Sequence, residues 1–278
     1  MLGELLKSLA LHVVDPARVT VFVGVDDDDQ TTRTEFDALR AAAGRLDLRL
    51  QARPRPGSVH DVYNRLVADG SGTIIATFTD DVAVATPGWD TAIERSFAPF
   101  ADGFAVGSLV DALAPGAGTL MAAPRHMVQE TGYLLTDWFP FWWGDVWLDE
   151  IGALIGRRIV IPVEVVSLWD ERGKGKTLRM QNVAFWAAVY EMTRPERLAT
   201  AERLLHKIHG PDEQARRAAM GQWESIVARF RKANEVLLNP INAMQLEINW
   251  TAETRNLGAE ANAIERLRNL LGGPAGSG

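Results

Sequence analysis

Apolar positions recur along this chain with two periods, and the switch between them predicts its architecture. Leu2, Leu5, Leu6 and Leu9 form one stripe at helical spacing, a helix over residues 1–14 that Asp15-Pro16 ends. Residues 19–25 are a near-continuous β-branched run, the mark of a strand buried on both faces. A helix is predicted over 34–44, with Gly44 as its stop. Alternation over 46–52 predicts a half-buried strand, and Ser58 is placed to cap a helix over 59–69. Gly70-Ser71-Gly72 then turns into a second main strand at 73–79, and Pro87-Gly88 opens a helix carrying Trp89, Ile93 and Phe97.

Strands are predicted at 104–110 and 118–123 around a Pro115-Gly116 turn, followed by a helix at 148–155 and a strand at 158–166. Beyond about residue 177 the pattern is helical: 178–193, 195–209, 212–237 and a looser stretch to 271. The expected fold class is α/β. A mostly parallel, Rossmann-like sheet flanked by helices occupies 1–177, a helical extension 178–271, and a flexible tail 272–278.

Composition narrows the function classes. The 278 residues carry a net charge of −7, so no general field attracts a nucleic-acid backbone. With no cysteine, disulfides and thiolate metal sites are excluded. The first residues carry Glu4 and Lys7 without a basic leader, and no uncharged stretch reaches membrane-spanning length. A cytoplasmic protein without a transmembrane segment is the default expectation; oligomeric state is not readable.

Both main strands run into aspartates, and ligands of α/β sheets bind just outside the carboxyl ends of strands. The first cluster is Asp26-Asp27-Asp28-Asp29, in which Asp26 and Asp28 are the candidates for accepting hydrogen bonds from a nucleotide's base and ribose. The alternative is a solvated turn with Asp29 capping a helix. The second is Asp80-Asp81, suited to a hard divalent cation that keeps positions for phosphates, or else an acidic turn facing water. The third candidate, Asp145, follows an aromatic wall that includes Trp142 and Trp143. Low dielectric there would raise its pKa toward general-base range, while Trp143 offers a face for a sugar ring; capping of the next helix is the competing role. Lys176, in the Gly-rich basic loop Arg172-Gly173-Lys174-Gly175-Lys176, could close over a diphosphate or simply be solvated; Walker A spacing is absent.

Together these segments resemble the family-2-like glycosyltransferases of the GT-A fold, over roughly residues 1–177. Val25-Asp26-Asp27-Asp28-Asp29 resembles that family's first nucleotide-binding aspartates. Tyr63-Asn64-Arg65-Leu66 with Asp69-Gly70-Ser71-Gly72 resembles the helix leading into its metal strand. Thr79-Asp80-Asp81-Val82 with Pro87-Gly88-Trp89 resembles its DXD segment, and Gly144-Asp145 its base-bearing segment. The resemblance implies an inverting transfer from a nucleotide-diphosphate sugar, UDP-sugar favoured, to a carbohydrate or glycoconjugate acceptor. It implies Mn²⁺ or Mg²⁺ on Asp81, with Asp26, Asp28, Asn64, Asp80 and Trp89 on the nucleotide or sugar side. Asp145 would be the base and Asp149 its alternative.

The chain begins at the family's first helix rather than its first strand. The late histidine some relatives supply is absent from Val166-Ser167-Leu168-Trp169-Asp170, where Asp170 could substitute. A degenerate GT-A domain acting as a non-catalytic binding or assembly module, and a sugar nucleotidyltransferase, are the competing functions.

Overall fold

The structure is a computed structural model of the 278-residue chain and describes residues 1–54, 58–111, 120–168, 182–242 and 257–272. Helix α1 (Leu2–His12) buries Leu5, Leu6 and Leu9, as its stripe predicts. Strand β1 (Thr20–Asp26) follows. The helix expected over 34–44 is α3 (Phe36–Ala43), and a short helix that the pattern did not predict, α2 (Gln30–Thr34), precedes it. Asp29 starts α2 by accepting from the Thr32 N–H at 3.0 Å, and the Thr34 hydroxyl bonds back to the Gln30 carbonyl where α2 ends. Gly44 ends α3 at φ 60°, a backbone position where a side chain would be strained.

Next come β2 (Asp47–Arg53), α4 (Val59–Asp69), β3 (Ile74–Ala76), β4 (Val82–Val84) and α5 (Trp89–Phe97). Strands β5 (Val106–Asp111) and β6 (Met121–Pro124) precede α6 (Arg125–Thr131), α7 (Gly144–Leu154) and β7 (Arg158–Ser167). The remaining helices are α8 (Val183–Met192), α9 (Arg194–His209), α10 (Glu213–Met220), α11 (Trp223–Leu238) and a last helix, Leu257–Gly272. One helix was expected over 212–237; the chain breaks it at Gly221-Gln222, where glycine is a poor helix former. The Pro115-Gly116 turn, the basic loop with Lys176, Asp170 and the tail lie outside the described residues. No described helix is long and apolar enough to cross a membrane.

The expected mostly parallel sheet requires correction. β1 and β2 form a parallel pair, Thr20 opposite Asp47 through Asp26 opposite Arg53. The other sheet has the order β3-β6-β5-β7-β4, and of its pairings only β5 with β7 is parallel. The reason is physical: an apolar β-branched run reports burial on both faces, which these strands have whatever their direction.

Helices cover both faces of the larger sheet. On β6, Leu120 just ahead of the strand and Ala122 within it join the core built with α1, α3 and α5, whereas Met121 and Ala123 join the core built with α7, α8 and α9. That second core contains Trp147 and Ile151 of α7 together with Trp186, Tyr190, Leu204, Leu205 and Leu267. The helices after residue 182 therefore share one core with the sheet. Gly152 lets α7 lie close on β5, since a Cβ there would fall 2.7 Å from the Val106 Cβ. An ionic cluster sits inside the same interface: Arg197 of α9 donates from Nε to Glu150 of α7, the Tyr190 hydroxyl donates to the same carboxylate, and Arg197 and Glu150 are fully buried. The guanidinium also lies 3.9 Å from the Tyr190 ring centroid.

Candidate active site

Helix α4 assembles the site. Ser58 accepts from the His60 N–H at 3.1 Å, capping the helix as expected, and donates to the Phe139 carbonyl at 3.2 Å. The Val59 N–H donates to the Pro140 carbonyl at 2.9 Å. Asn64, one turn on from His60, closes a three-bond staple: its amide donates to the Leu135 carbonyl at 2.7 Å and accepts from the Leu134 and Leu135 N–H groups at 2.9 and 3.1 Å. His60 is buried, with Nδ1 2.8 Å from the Thr136 carbonyl. A carbonyl only accepts, so Nδ1 carries the proton. Burial pushes the imidazole down to about 4, partly offset by backbone carbonyls of Thr136 and Phe139, so the ring is neutral near pH 7.

The His60 ring rests on Gly144, the first residue of α7; a Cβ on Gly144 would lie 2.5–2.9 Å from three ring atoms. The two residues before it, Trp142 and Trp143, have φ of 24° and 56°, a left-handed backbone that bulky residues rarely adopt. Asp145 therefore enters the first turn of α7 from a strained approach, with its Oδ1 accepting from the Val146 N–H at 2.8 Å. Although the residue keeps some contact with solvent, burial pushes its carboxyl up to about 6, with a further upward push from Asp149 that backbone hydrogen bonds oppose. Asp149, one turn later, is buried and accepts from Arg158 Nε at 2.7 Å. Burial raises its pKa and the Arg158 guanidinium pulls it back.

Asp80 and Asp81 lie on the segment that crosses from β3 to β4. Its start is tied to β6 by the Thr77 N–H on the Met121 carbonyl at 2.8 Å, and its end to β7 by the Leu168 N–H on the Asp81 carbonyl at 2.6 Å. Asp80 has a raised pKa, from desolvation first and then the Asp81 charge. Tyr63, on the same α4 face as His60 and Asn64, donates its hydroxyl to the Phe78 carbonyl at 3.2 Å. Its phenol is pushed up to about 12, by burial first and then by the charges of Asp80, Asp81 and Asp145. The fields of three acids separated by 65 residues thus meet at one phenol.

Asp26 lies at the end of β1 in an adjoining cleft lined by Gly24, Gln51, Arg53 and, from α4, Val62 and Arg65. Arg53 pairs with Asp69, and Arg65 with Asp61. Asp28 is exposed in the turn that follows, and Asp29 caps α2. Trp89 and Trp143 are both 5% exposed, and neither presents an open face. Trp89 donates to the Leu9 carbonyl at 3.0 Å and packs edge-on against Phe78; Trp143 donates to Asn234 Oδ1 at 3.0 Å. Asp90 ties down the segment that follows α1 by accepting from the Val14 and Asp15 N–H groups at 3.0 and 2.9 Å.

Among the described residues no three His, Asp or Glu side chains gather as a metal-ligand set. The adjacent Asp80 and Asp81, mutually repelling, match the sparse carboxylate set of a cation that takes most of its ligands from phosphates and water. His60, Tyr63 and Asn234 escaped the sequence reading as site residues. His60, Tyr63 and Asn64 did carry a signal: spacing i, i+3, i+4 places them on one helical face.

No family model and no curated protein matches the sequence. Solved structures match its fold. The mannosyltransferase PcManGT from Pyrobaculum calidifontis, in complex with GDP-Man and Mn²⁺, superposes with a TM-score of 0.54 at 14% identity, over 98% of this chain and 84% of that one. S. aureus TarS 1–349 in complex with UDP gives 0.51 at 13% identity over 96% and 78%, and its UDP-GlcNAc complex gives 0.51 at 14% identity. Along nearly its whole length, the chain has the fold of these glycosyltransferases.

Proposed function

We propose that the protein is a GT-A glycosyltransferase of the family-2-like type, moving a sugar from a nucleotide-diphosphate sugar to a hydroxyl of a carbohydrate or glycoconjugate acceptor with inversion. The observation that supports the reading is that the charges of Asp80, Asp81 and Asp145 all add to the burial that raises the Tyr63 phenol. Asp145 is the base. A carboxyl titrating near 6 is mostly ionised at pH 7 yet a better proton acceptor than an ordinary aspartate. It takes the proton of the acceptor hydroxyl as that oxygen bonds to the anomeric carbon, while the bond from this carbon to the diphosphate oxygen breaks and the nucleoside diphosphate departs. Asp149, held by Arg158, is the alternative base and otherwise adds negative field that keeps the Asp145 proton affinity high.

A divalent cation, Mn²⁺ or Mg²⁺, would supply Lewis-acid stabilisation of the departing diphosphate, held by Asp81. Asp80 takes the ribose or sugar, and Asp26 and Asp28 the nucleoside beside the α4 cleft. Asn64, Trp89 and Trp143 serve through the backbone they hold, and Lys176 is assigned to the diphosphate. The complexes of PcManGT with GDP-Man and of TarS with UDP support a nucleotide-sugar donor, and UDP remains the favoured nucleotide. Thermal-shift measurement with UDP and GDP, each with and without Mn²⁺, tests this. Metal-dependent stabilisation by UDP, abolished in Asp81→Ala, is expected; an intact protein stabilised by no nucleotide would sink the proposal.

A further inference from the structure

We infer that Asn234, on α11 and 91 residues from Trp143, is a positioning residue that fixes the backbone bearing Asp145. The inference rests on the proposed role of Asp145 as base. Asn234 is buried, and its amide makes three hydrogen bonds: Oδ1 accepts from the Trp143 indole at 3.0 Å, and Nδ2 donates to the Ala187 carbonyl and to Glu191 Oε1, both at 3.0 Å. The orientation of that amide is dictated by its partners. An indole N–H only donates, while a carbonyl and a carboxylate only accept, so a flipped amide would break all three bonds. Within α11, Phe230 and Asn234 are the buried positions, one turn apart. An apolar side chain would serve packing there, and a buried amide is retained at a cost unless every group is satisfied.

What the amide secures is the strained pair ahead of α7. Trp143 at φ 56° is the cap residue of that helix; its carbonyl accepts from the Trp147 N–H at 2.7 Å, and the Gly144 N–H turns back onto the Trp142 carbonyl at 2.8 Å. Relaxing Trp142 or Trp143 to negative φ would swing Gly144 and Asp145 off the axis of α7. Two elements oppose this. The His60 ring presses on Gly144 from α4, and Asn234 holds the Trp143 indole from α11. The helices that follow the sheet thereby set the geometry of the proposed base.

The test compares wild type with Asn234→Leu, which keeps the core filled, Trp143→Phe, which removes the indole N–H together with part of the buried ring, and the double variant. UDP with Mn²⁺ reports donor-side binding by thermal shift; hydrolysis of UDP-GlcNAc and of GDP-mannose reports turnover; carboxyl NMR reports the Asp145 titration. The surrounding charges, Tyr63 on α4, Asp80 and Asp81 beside it and Asp149 on α7, are left unchanged. Each single variant is expected to lower kcat at least tenfold with KM and the UDP shift within twofold of wild type. Each should also move the Asp145 titration by half a pH unit or more, and the double variant should be no worse than either single one. A folded Asn234→Leu with kcat within twofold and an unmoved titration would overturn the inference. So would parallel losses of kcat and UDP binding, which mean general loosening. If wild type turns over neither sugar, the Asp145 titration alone decides the positioning role, and stabilisation by no nucleotide marks failure of the proposed function instead.

Discussion

Replacing Asp145 by asparagine should make the protein more stable and inactive at once, and the structure sets the size of the gain. The carboxyl moves from its ordinary 3.8 to about 6 on folding. An acid whose folded pKa is raised holds its proton in the native state between those values while the unfolded chain has released it. Stability therefore falls as pH rises through about 4 to 6, and the full cost is present above 6. Two pH units at about 1.4 kcal/mol each set a ceiling near 3 kcal/mol; partial solvent contact brings the expectation to about 1–3 kcal/mol. Asparagine keeps the shape, and its carbonyl can still accept from the Val146 N–H, so little packing is lost. Urea unfolding of both proteins at pH 8, 6 and 4 is the assay. Asp145→Asn should exceed wild type by about 1–3 kcal/mol at pH 8, with the margin shrinking to near zero at pH 4, while sugar transfer is lost. A margin independent of pH, or none at pH 8, would refute the claim that desolvation governs this carboxyl.

Gly144→Ala should cost about 1–3 kcal/mol, because its Cβ would press on a His60 ring that cannot withdraw without losing the Thr136 carbonyl. Adding His60→Ala should recover part of that loss in a denaturation cycle, whereas strict additivity would show that the two residues do not touch. Arg197→Ala should cost about 3–5 kcal/mol by removing the hydrogen-bonded cation of buried Glu150 and leaving it only the Tyr190 hydroxyl and Arg194 Nε, 4.0 Å away, and a loss below about 1 kcal/mol would show that water or Arg194 takes over. The pair replacement Glu150→Gln with Arg197→Met should unfold at higher urea than Arg197→Ala alone.

Much of this arrangement was legible locally. The run at 19–25 and its aspartates occur as β1 and the turn after it, with Asp29 capping α2, because a β-branched run and an N-cap are short-range signals. Ser58 and the 59–69 helix are likewise local, and so is the loop position of Asp80-Asp81. Long-range partners were not legible. Trp89 and Asp90 follow a Pro-Gly opening as expected, yet their polar groups are used by α1 and the segment just after it, some 75–80 residues earlier. Helix α7 begins at Gly144 rather than 148, because its approach depends on two tryptophans in left-handed backbone, for which composition carries no signal and tertiary contacts supply the cause. Strand direction was hidden for a related reason: pairing partners are chosen by topology, whereas apolar runs record only burial.

The chemistry of the α4 face explains how three acids coexist there. In water, Asp80, Asp81 and Asp145 would separate, and a fold built for stability alone would set arginines between them. On this face the fold instead supplies a phenol, a carboxamide and an imidazole held neutral by burial. Those groups orient backbone without discharging the carboxylates, so the negative field persists and adds to the burial that raises Tyr63 and Asp80. A field left in that state costs stability in isolation but favours a divalent cation and the phosphates it carries, since the ion then becomes the largest charge in the site. Desolvation meanwhile keeps Asp145, whose helix start lies against His60 one turn before Tyr63, a strong enough base to take a proton. One helix face therefore serves two requirements of the proposed transfer that pull in opposite directions: a charged surrounding for the leaving group, and a poorly solvated one for the nucleophile.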